Sequence, residues 1–382
     1  MAKSLFLSRE VKVYVEFDST FWEIPVLDGF SFSQGTNTTE VTIAEMADSS
    51  NNSRRGRIAF NDSLNAAEWS FSTYARPERV GDPLKHRATE EILWALMAGA
   101  KNYDASQGSG NIFDDGASGT PVTVINSDAT DMDIGFAGSN KLEFADANIW
   151  FRFPSNDDGG TDADVYYKCE GAVVNEASLS FDLDGITTIE WSGMANKLVE
   201  AATAPTIGTP TQHGVTSTSN FIRNRLTQLT LSAADGVIAD ADADTDADAY
   251  NLVLTGGNIT ISNNISFITP SSLGVVNVPL GHVTGTRSVS GSFTCYLSGD
   301  DRGSADLMED LIAKSSIVQN EFDLTFKVGG TTAPRLEIEC SQAMLEIPSH
   351  SVEDVISVEV NFHGLPSDIA NTDEVTVKYF GA

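Results

Sequence analysis

The chain has 382 residues, 41% of them apolar, enough to bury a core in each of two domains and too many for a disordered chain. Its 23 Lys and Arg stand against 54 Asp and Glu, a formal charge of −31, and so acidic a surface repels phosphate, which argues against nucleic-acid binding. No window approaches the roughly 20 apolar residues of a membrane helix, and the first residues are too poor in apolar side chains for a secretory leader, so the expected product is soluble and made in the cytoplasm.

In chain order the pattern is almost entirely β. Val11, Val13, Val15 and Phe17 alternate with Lys12, Tyr14 and Glu16, predicting a first strand with one buried face. Strands over Phe21 to Leu27 and Gly29 to Ser33 follow, parted by the turn signal Asp28-Gly29. Residues 35–56 hold one short strand, Glu40 to Ala44, within a polar stretch that reads as a long exposed loop of the interacting kind. Arg57 to Phe60 and Trp69 to Tyr74 are the next strands, and Pro77 stops the second. A helix is predicted over Pro83 to Gly99, with Leu84, Ile92, Leu93, Leu96 and Met97 as its apolar stripe, Thr89 as N-cap and Gly99 past its end.

Residues 100–165 are rich in Gly, Asp, Asn and Ser, carry short strands at Val122 to Ile125, Lys141 to Phe144 and Asn148 to Phe153, and read as decoration. Tyr166 to Cys169, Ser178 to Leu183 and Thr187 to Trp191 complete a first half. Residues 199–219 lack periodicity, contain Pro205 and Pro210, and form a linker.

The second half echoes the first. Ser292, Phe293 and Tyr296 repeat the spacing of Ser70, Phe71 and Tyr74; Phe221 to Ser232 resembles Phe6 to Phe17; and Ile265-Ser266-Phe267 resembles Phe30-Ser31-Phe32. A Cys-x-x-Ala step recurs at Cys169 to Ala172 and Cys340 to Ala343, and Ile189-Glu190-Trp191 matches Val358-Glu359-Val360, with Gly193 and Gly364 just beyond. A second helix is predicted over Ser304 to Lys314, with Ala305, Met308, Leu311 and Ile312 as its stripe. Strands over Phe322 to Val328 and Leu336 to Cys340 follow, and Glu374 to Phe380 is an extra strand able to join a neighbouring edge. Repetition in one order predicts an internal duplication: a first domain at 1–198, the linker at 199–219, and a second domain at 220–382 with an Asp-rich insertion at about 233–250. The acidic excess is carried on both sides of the linker.

Little in the chain points to catalysis. His86, His213, His282, His350 and His363 share no local motif with Ser, Cys or carboxylate, and there is no nucleophile elbow, phosphate loop or paired-His metal motif. Cys169, Cys295 and Cys340 sit in strand patterns at no ligand spacing and predict buried reduced thiols, while Trp69 and Trp191 occupy core-like positions. Asp240, Asp242, Asp244, Asp246 and Asp248 are candidate ligands for a cation, but the run lacks the sixth-position Gly and closing Glu of an EF-hand. The expectation is a solvated acidic loop, with no metal or cofactor.

The run Gly29 to Ser33, the polar stretch after it, Arg57 to Asn61, and Glu68 to Pro77 resemble the tail tube (major tail) proteins of long-tailed bacteriophages, most clearly in residues 1–100. The resemblance implies tandem mainly β domains of sandwich or barrel type, each with one flanking helix. It implies a virion protein that stacks as rings into the tail tube through which DNA passes without specific binding, with tape measure, tail terminator and distal tail or baseplate proteins as neighbours. Two units per chain would make each pseudo-hexameric ring a trimer. A capsid-decoration or adhesion protein, also acidic and β-rich, is the alternative from another class; a carbohydrate-active β-sandwich enzyme would require a close carboxylate pair.

Overall fold

A computed structural model describes residues 6–41, 49–50, 58–81, 85–104, 110–118, 121–136, 144–155, 163–233, 249–268, 279, 281–313, 322–352 and 354–382. The first half contains β1 (Lys12–Phe17), β2 (Thr20–Ile24), β3 (Ser31–Glu40), β4 (Ala59–Tyr74), β5 (Pro77–Val80), β6 (Lys85–Ala88) and helix α1 (Glu91–Met97). It continues through β7 (Asn102–Tyr103), β8 (Gly110–Asp114), β9 (Thr123–Ser127), β10 (Met132–Ile134), β11 (Ala147–Phe153), β12 (Val165–Asp182) and β13 (Thr188–Glu200). The second half contains β14 (Gln228–Ala233), β15 (Leu254–Ser262), β16 (Ser266–Ile268), β17 (Gly281–Val283), β18 (Ser288–Tyr296) and helix α2 (Ser304–Ala313). Then come β19 (Phe322–Val328), β20 (Arg335–Leu345), β21 (Ser349–Ser351), β22 (Ser357–Gly364) and β23 (Thr376–Phe380).

The two halves pair their strands alike. In the first, the antiparallel order is β1-β11-β12-β13-β4-β3; in the second it is β14-β19-β20-β22-β18-β15. Each helix lies in the chain between the fifth and second strands of its set, and a 3-10 turn (Ser8–Glu10, Asn224–Leu226) precedes each first strand.

Register agrees at the level of residues. Cys169 and Ala172 face Ile149 and Ala147, and Cys340 and Ala343 face Leu324 and Phe322, so in both halves the Cys-x-x-Ala step spans a register shift against the second strand of the set. Phe71 faces Trp191 as Phe293 faces Val360. One pair has changed sides: Trp69 lies opposite Gly193, while at the matching position Gly291 lies opposite Phe362. A Cβ on Gly193 would stand 2.5 Å from the Trp69 ring, and one on Gly291 would stand 2.7 Å from the Phe362 ring. A large ring over a bare backbone fills the same volume in either arrangement.

Alternation buries one pleat of each sheet. Trp69, Phe71, Trp191, Leu179, Phe181, Phe293, Val360 and Phe362 all enter one core, and the opposing layer supplies Phe151, 4.5 Å from Phe32, and Phe326, 5.3 Å from Phe181. Trp94 of α1 meets Trp191 edge-on at 4.9 Å.

Several expectations need correction. Lys85–Ala88 pair with β5, so that ladder takes the first part of the predicted helix and α1 begins only at Glu91. Its N-cap is Glu90, without a side-chain cap bond, and the Thr89 hydroxyl instead donates to the His213 carbonyl. Leu84 lies outside the described residues. Among the described residues of α2 the fully buried apolar side chain is Leu307, and Ile312 of the predicted stripe is 57% exposed. Residues 35–40 are strand, held by the β3–β4 ladder; of the short strand expected at Glu40 to Ala44, residues 42–44 lie outside the described residues, as do 141–143 of Lys141 to Phe144. β11 is an inner strand between β1 and β12, so residues 100–165 are not all decoration. The counterpart of Phe30-Ser31-Phe32 is Gly257-Asn258-Ile259, because Ser31 faces Ser70 as Asn258 faces Ser292. Phe6 to Phe17 matches the second half one residue later than the sequence suggested, with Val15 facing Ile149 as Leu231 faces Leu324. The extra strand β23 does join neighbouring strands, as expected, pairing with β20 and with β10 of the first half.

Candidate functional site

One sheet runs unbroken from half to half. β12 pairs with β15, Glu176 facing Ser262, Ser178 facing Thr260 and Ser180 facing Asn258, which joins β3-β4-β13-β12 to β15-β18-β22-β21. The pleat opposite the core therefore carries rows of side chains across the whole sheet. One row reads Ser72, Glu190, Ser178, Thr260, Ser290, His363, and the next Ser70, Ser192, Glu176, Ser262, Ser288. A third contains Asp182, Gly256, Thr294, Glu359 and Ser349.

These rows are dominated by hydroxyls, with carboxylates spaced among them and no Lys or Arg. The Ser178 and Thr260 hydroxyls meet at 3.0 Å and the Ser31 and Ser70 hydroxyls at 2.8 Å, while Asn258 Nδ2 donates to Ser292 Oγ at 3.1 Å. Such groups satisfy one another and water, and without cations the face offers phosphate no counterion-releasing contact. The overall charge of the chain gives no hint of this hydroxyl majority, which became visible only once register aligned the strands.

The seam between the halves is fastened by buried polar groups. Tyr379 Oη donates to Glu90 Oε1 at 2.7 Å and accepts Trp94 Nε1 at 2.7 Å, and the Arg76 backbone N–H donates to the same Glu90 oxygen at 3.2 Å. Glu90 is wholly buried, and desolvation pushes its carboxyl up to about 7. Arg87 Nε donates to Glu91 Oε2 at 2.6 Å, and that guanidinium holds the Glu91 carboxyl below the usual range despite burial. Asn263 Nδ2 reaches the Met97 carbonyl at 3.0 Å, and the Gly381 backbone N–H donates to His86 Nδ1 at 2.7 Å. Residues 201–219 contribute as well: Thr211 exchanges backbone bonds with Phe21 and Glu23, and Arg76 donates to the Ser217 carbonyl at 2.8 Å.

The sequence-selected residues fall into place around this frame. Trp69 and Trp191 are core residues, and Cys169, Cys295 and Cys340 are buried free thiols, pushed up to about 12, 11 and 12 by burial. His86, His213 and His282 are drawn into backbone and seam contacts, His363 lies 3.5 Å from Glu346, and His350 is exposed on β21. Glu90 and Glu91, adjacent and buried, do not reach solvent, so they offer no glycan the paired carboxylates a glycosidase presents. Asp240, Asp242, Asp244, Asp246 and Asp248 lie outside the described residues. Among the described residues no helix is long and apolar enough to cross a membrane.

The family model described as phage tail tube protein matches residues 94–364. The chain belongs to the phage tail tube family. It is 31% identical over 386 residues to the protein named "Tail tube protein pb6" of Escherichia phage T5, an alignment covering 97% of this chain and 75% of that protein. This tail tube protein is thus a structural, mainly β component of a phage tail.

Proposed function

We propose that the chain polymerises into a tube of stacked rings, three chains to a ring, each chain supplying two equivalent sectors of the wall, and that DNA passes through the bore during ejection without being bound. The observation that carries this reading is the cation-free hydroxyl and carboxylate face running unbroken across both halves. On the inside of a ring it would meet the polyanion with carboxylates that act over a Debye length of roughly 8 Å at physiological ionic strength, and with hydroxyls that slide past phosphate.

The common strand order and the matching Cys-x-x-Ala register shifts support two copies of one unit, divided near residues 199–219. Two units per chain convert sixfold geometry into three subunits. Closing the sheets edge to edge removes strand edges that would otherwise aggregate. The role is structural rather than catalytic; the protein is made in the host cytoplasm, and the tape measure, terminator and baseplate-proximal proteins meet the tube at its ends.

Electron microscopy of the purified chain, with native mass spectrometry of the smallest closed species, tests the proposal. Stacked rings with an open channel and three chains per ring are expected. Isolated globules, or spikes that bind capsids, would instead assign the protein to decoration or adhesion.

A further inference from the structure

The contact between β12 and β15 joins unlike edges of the two halves, and the chain carries the same two edges a second time. Glu190 faces Ser72 on β4 and Ser178 on β12; Glu359 faces Thr294 on β18 and Ser349 on β21. With Phe71–Trp191 matching Phe293–Val360, Ser349 and Ser351 of β21 stand where Ser178 and Ser180 of β12 stand. On the other side, Ser31 of β3 stands where Asn258 of β15 stands, so Ser33 matches Thr260 and Gly35 matches Ser262. In the first half the edge of β12 is taken by β15. Among the described residues no strand pairs with the outer edge of β21, and none with the outer edge of β3.

We propose that the outer edge of β21 pairs antiparallel with the outer edge of β3 in a second copy of this chain, Ile347 opposite Gly35, Ser349 opposite Ser33 and Ser351 opposite Ser31. This rests on the ring reading and specifies its joint. The register follows from the contact already made within the chain, where Glu176, Ser178 and Ser180 face Ser262, Thr260 and Asn258. Because the two edges differ, the contact is head to tail, and each copy offers one of each, the arrangement that builds a ring when its rotation closes.

A second observation points to the same missing neighbour. Helix α1 is buried along its whole length, and the second half supplies part of its cover: Asn263 reaches the Met97 carbonyl, and Tyr379 accepts from Trp94. Among the described residues no such bond from the other half reaches helix α2, where Ile312 is 57% exposed, and Ile347 and Val352 beside β21 are 64% and 78% exposed. A copy seated on β21 brings its first half to this side. Pro348 matches Ala177 and lacks an N–H, so the joint has one donor fewer than its model within the chain. A proline on an open edge also discourages indiscriminate pairing before assembly.

Cysteine cross-linking tests the register. Ser178 and Thr260 bring their hydroxyl oxygens within 3.0 Å, so Ser178→Cys with Thr260→Cys is the positive reference, closing within one chain. Ser33→Cys with Ser349→Cys should give disulfides between chains, ending in a covalent closed trimer. Its cross-linked fraction should exceed, on the order of ten-fold, that of Ser33→Cys with His350→Cys, whose second thiol points to the opposite pleat. Ser31→Cys with Ser351→Cys repeats the test one pleat period away. The native thiols are buried and protonated, and stay out of the exchange. Tubes that form without either cross-link, or that cross-link equally through Cys at 350, overturn this pairing and leave the tube reading standing. A chain that neither assembles nor cross-links overturns both.

Discussion

Glu90 shows how much of this seam is decided by single side chains. Its carboxyl titrates at 4.5 when solvated and at about 7 in the fold, raised by burial against hydrogen bonds from Tyr379 and the Arg76 backbone. Between those two values the folded state keeps a proton that the unfolded chain has released. Stability from this residue is therefore whole below its unfolded value and is lost as pH rises through the folded one. The E90Q variant keeps an acceptor for Tyr379 and carries no charge. Relative to the parent, its stability should rise by about 2 to 3 kcal/mol between about pH 5 and about pH 8, read as the difference between two denaturant titrations. A difference that stays constant with pH would mean that Glu90 is not the group titrating at the seam. The exchanged pair Trp69–Gly193 and Gly291–Phe362 belongs to the same scale. Each glycine looks ordinary in the sequence, and its purpose appears only where a ring from the facing strand lies over it.

Among the elements, the β3–β4 hairpin departs furthest from expectation. Its distal part, Thr36 to Glu40 against Ala59 to Leu64, has no buried pleat, so the alternation that marks a strand is missing and only cross-strand bonding reveals it. At the described end, Ile58 and Phe60 are 59% and 60% exposed. Ring stacking through this arm is a testable consequence of the proposed tube. In an I58S/F60S double variant the fold should hold to within about 0.5 kcal/mol, as for other exposed sites. Rings should still form, while micrographs should show tubes markedly shortened or absent; tubes of parental length would relieve the arm of this role. The helices carry the complementary lesson. The α1 stripe from Ile92 to Met97 was legible, but β5–β6 pairing took the first part of that predicted helix, and in α2 the deeply buried apolar residue is Leu307, outside the predicted stripe.

At the scale of the molecule, the net charge of −31 and the composition of one sheet face act together. Glu68, Glu190 and Glu359 share the polar pleat. Replacing the three with Lys keeps exposed side chains on strands already formed while giving this face cations. Tubes of the E68K/E190K/E359K variant should retain double-stranded DNA at low salt and release it as salt rises, with a slope set by the added phosphate contacts; parental tubes should not retain it at any salt. Filter retention across a salt series reads this directly, and equal behaviour of the two tubes would place this face away from the DNA path.

The sequence by itself determined the strand-rich class, the existence of two helices, the order of recurring motifs, the buried thiols and tryptophans, and the acidic balance. Each of these is written in local alternation or in bulk composition, which no tertiary contact can erase. Only the tertiary structure decided that β11 is an inner strand, that β23 closes against β10, that Gly257-Asn258-Ile259 answers Phe30-Ser31-Phe32, and that the polar pleat continues through β12 and β15. Antiparallel register relates residues far apart in the chain, and a shift of one position reverses every side chain. Alternation says which residues share a face; only the hydrogen-bonded ladder says which strand they face.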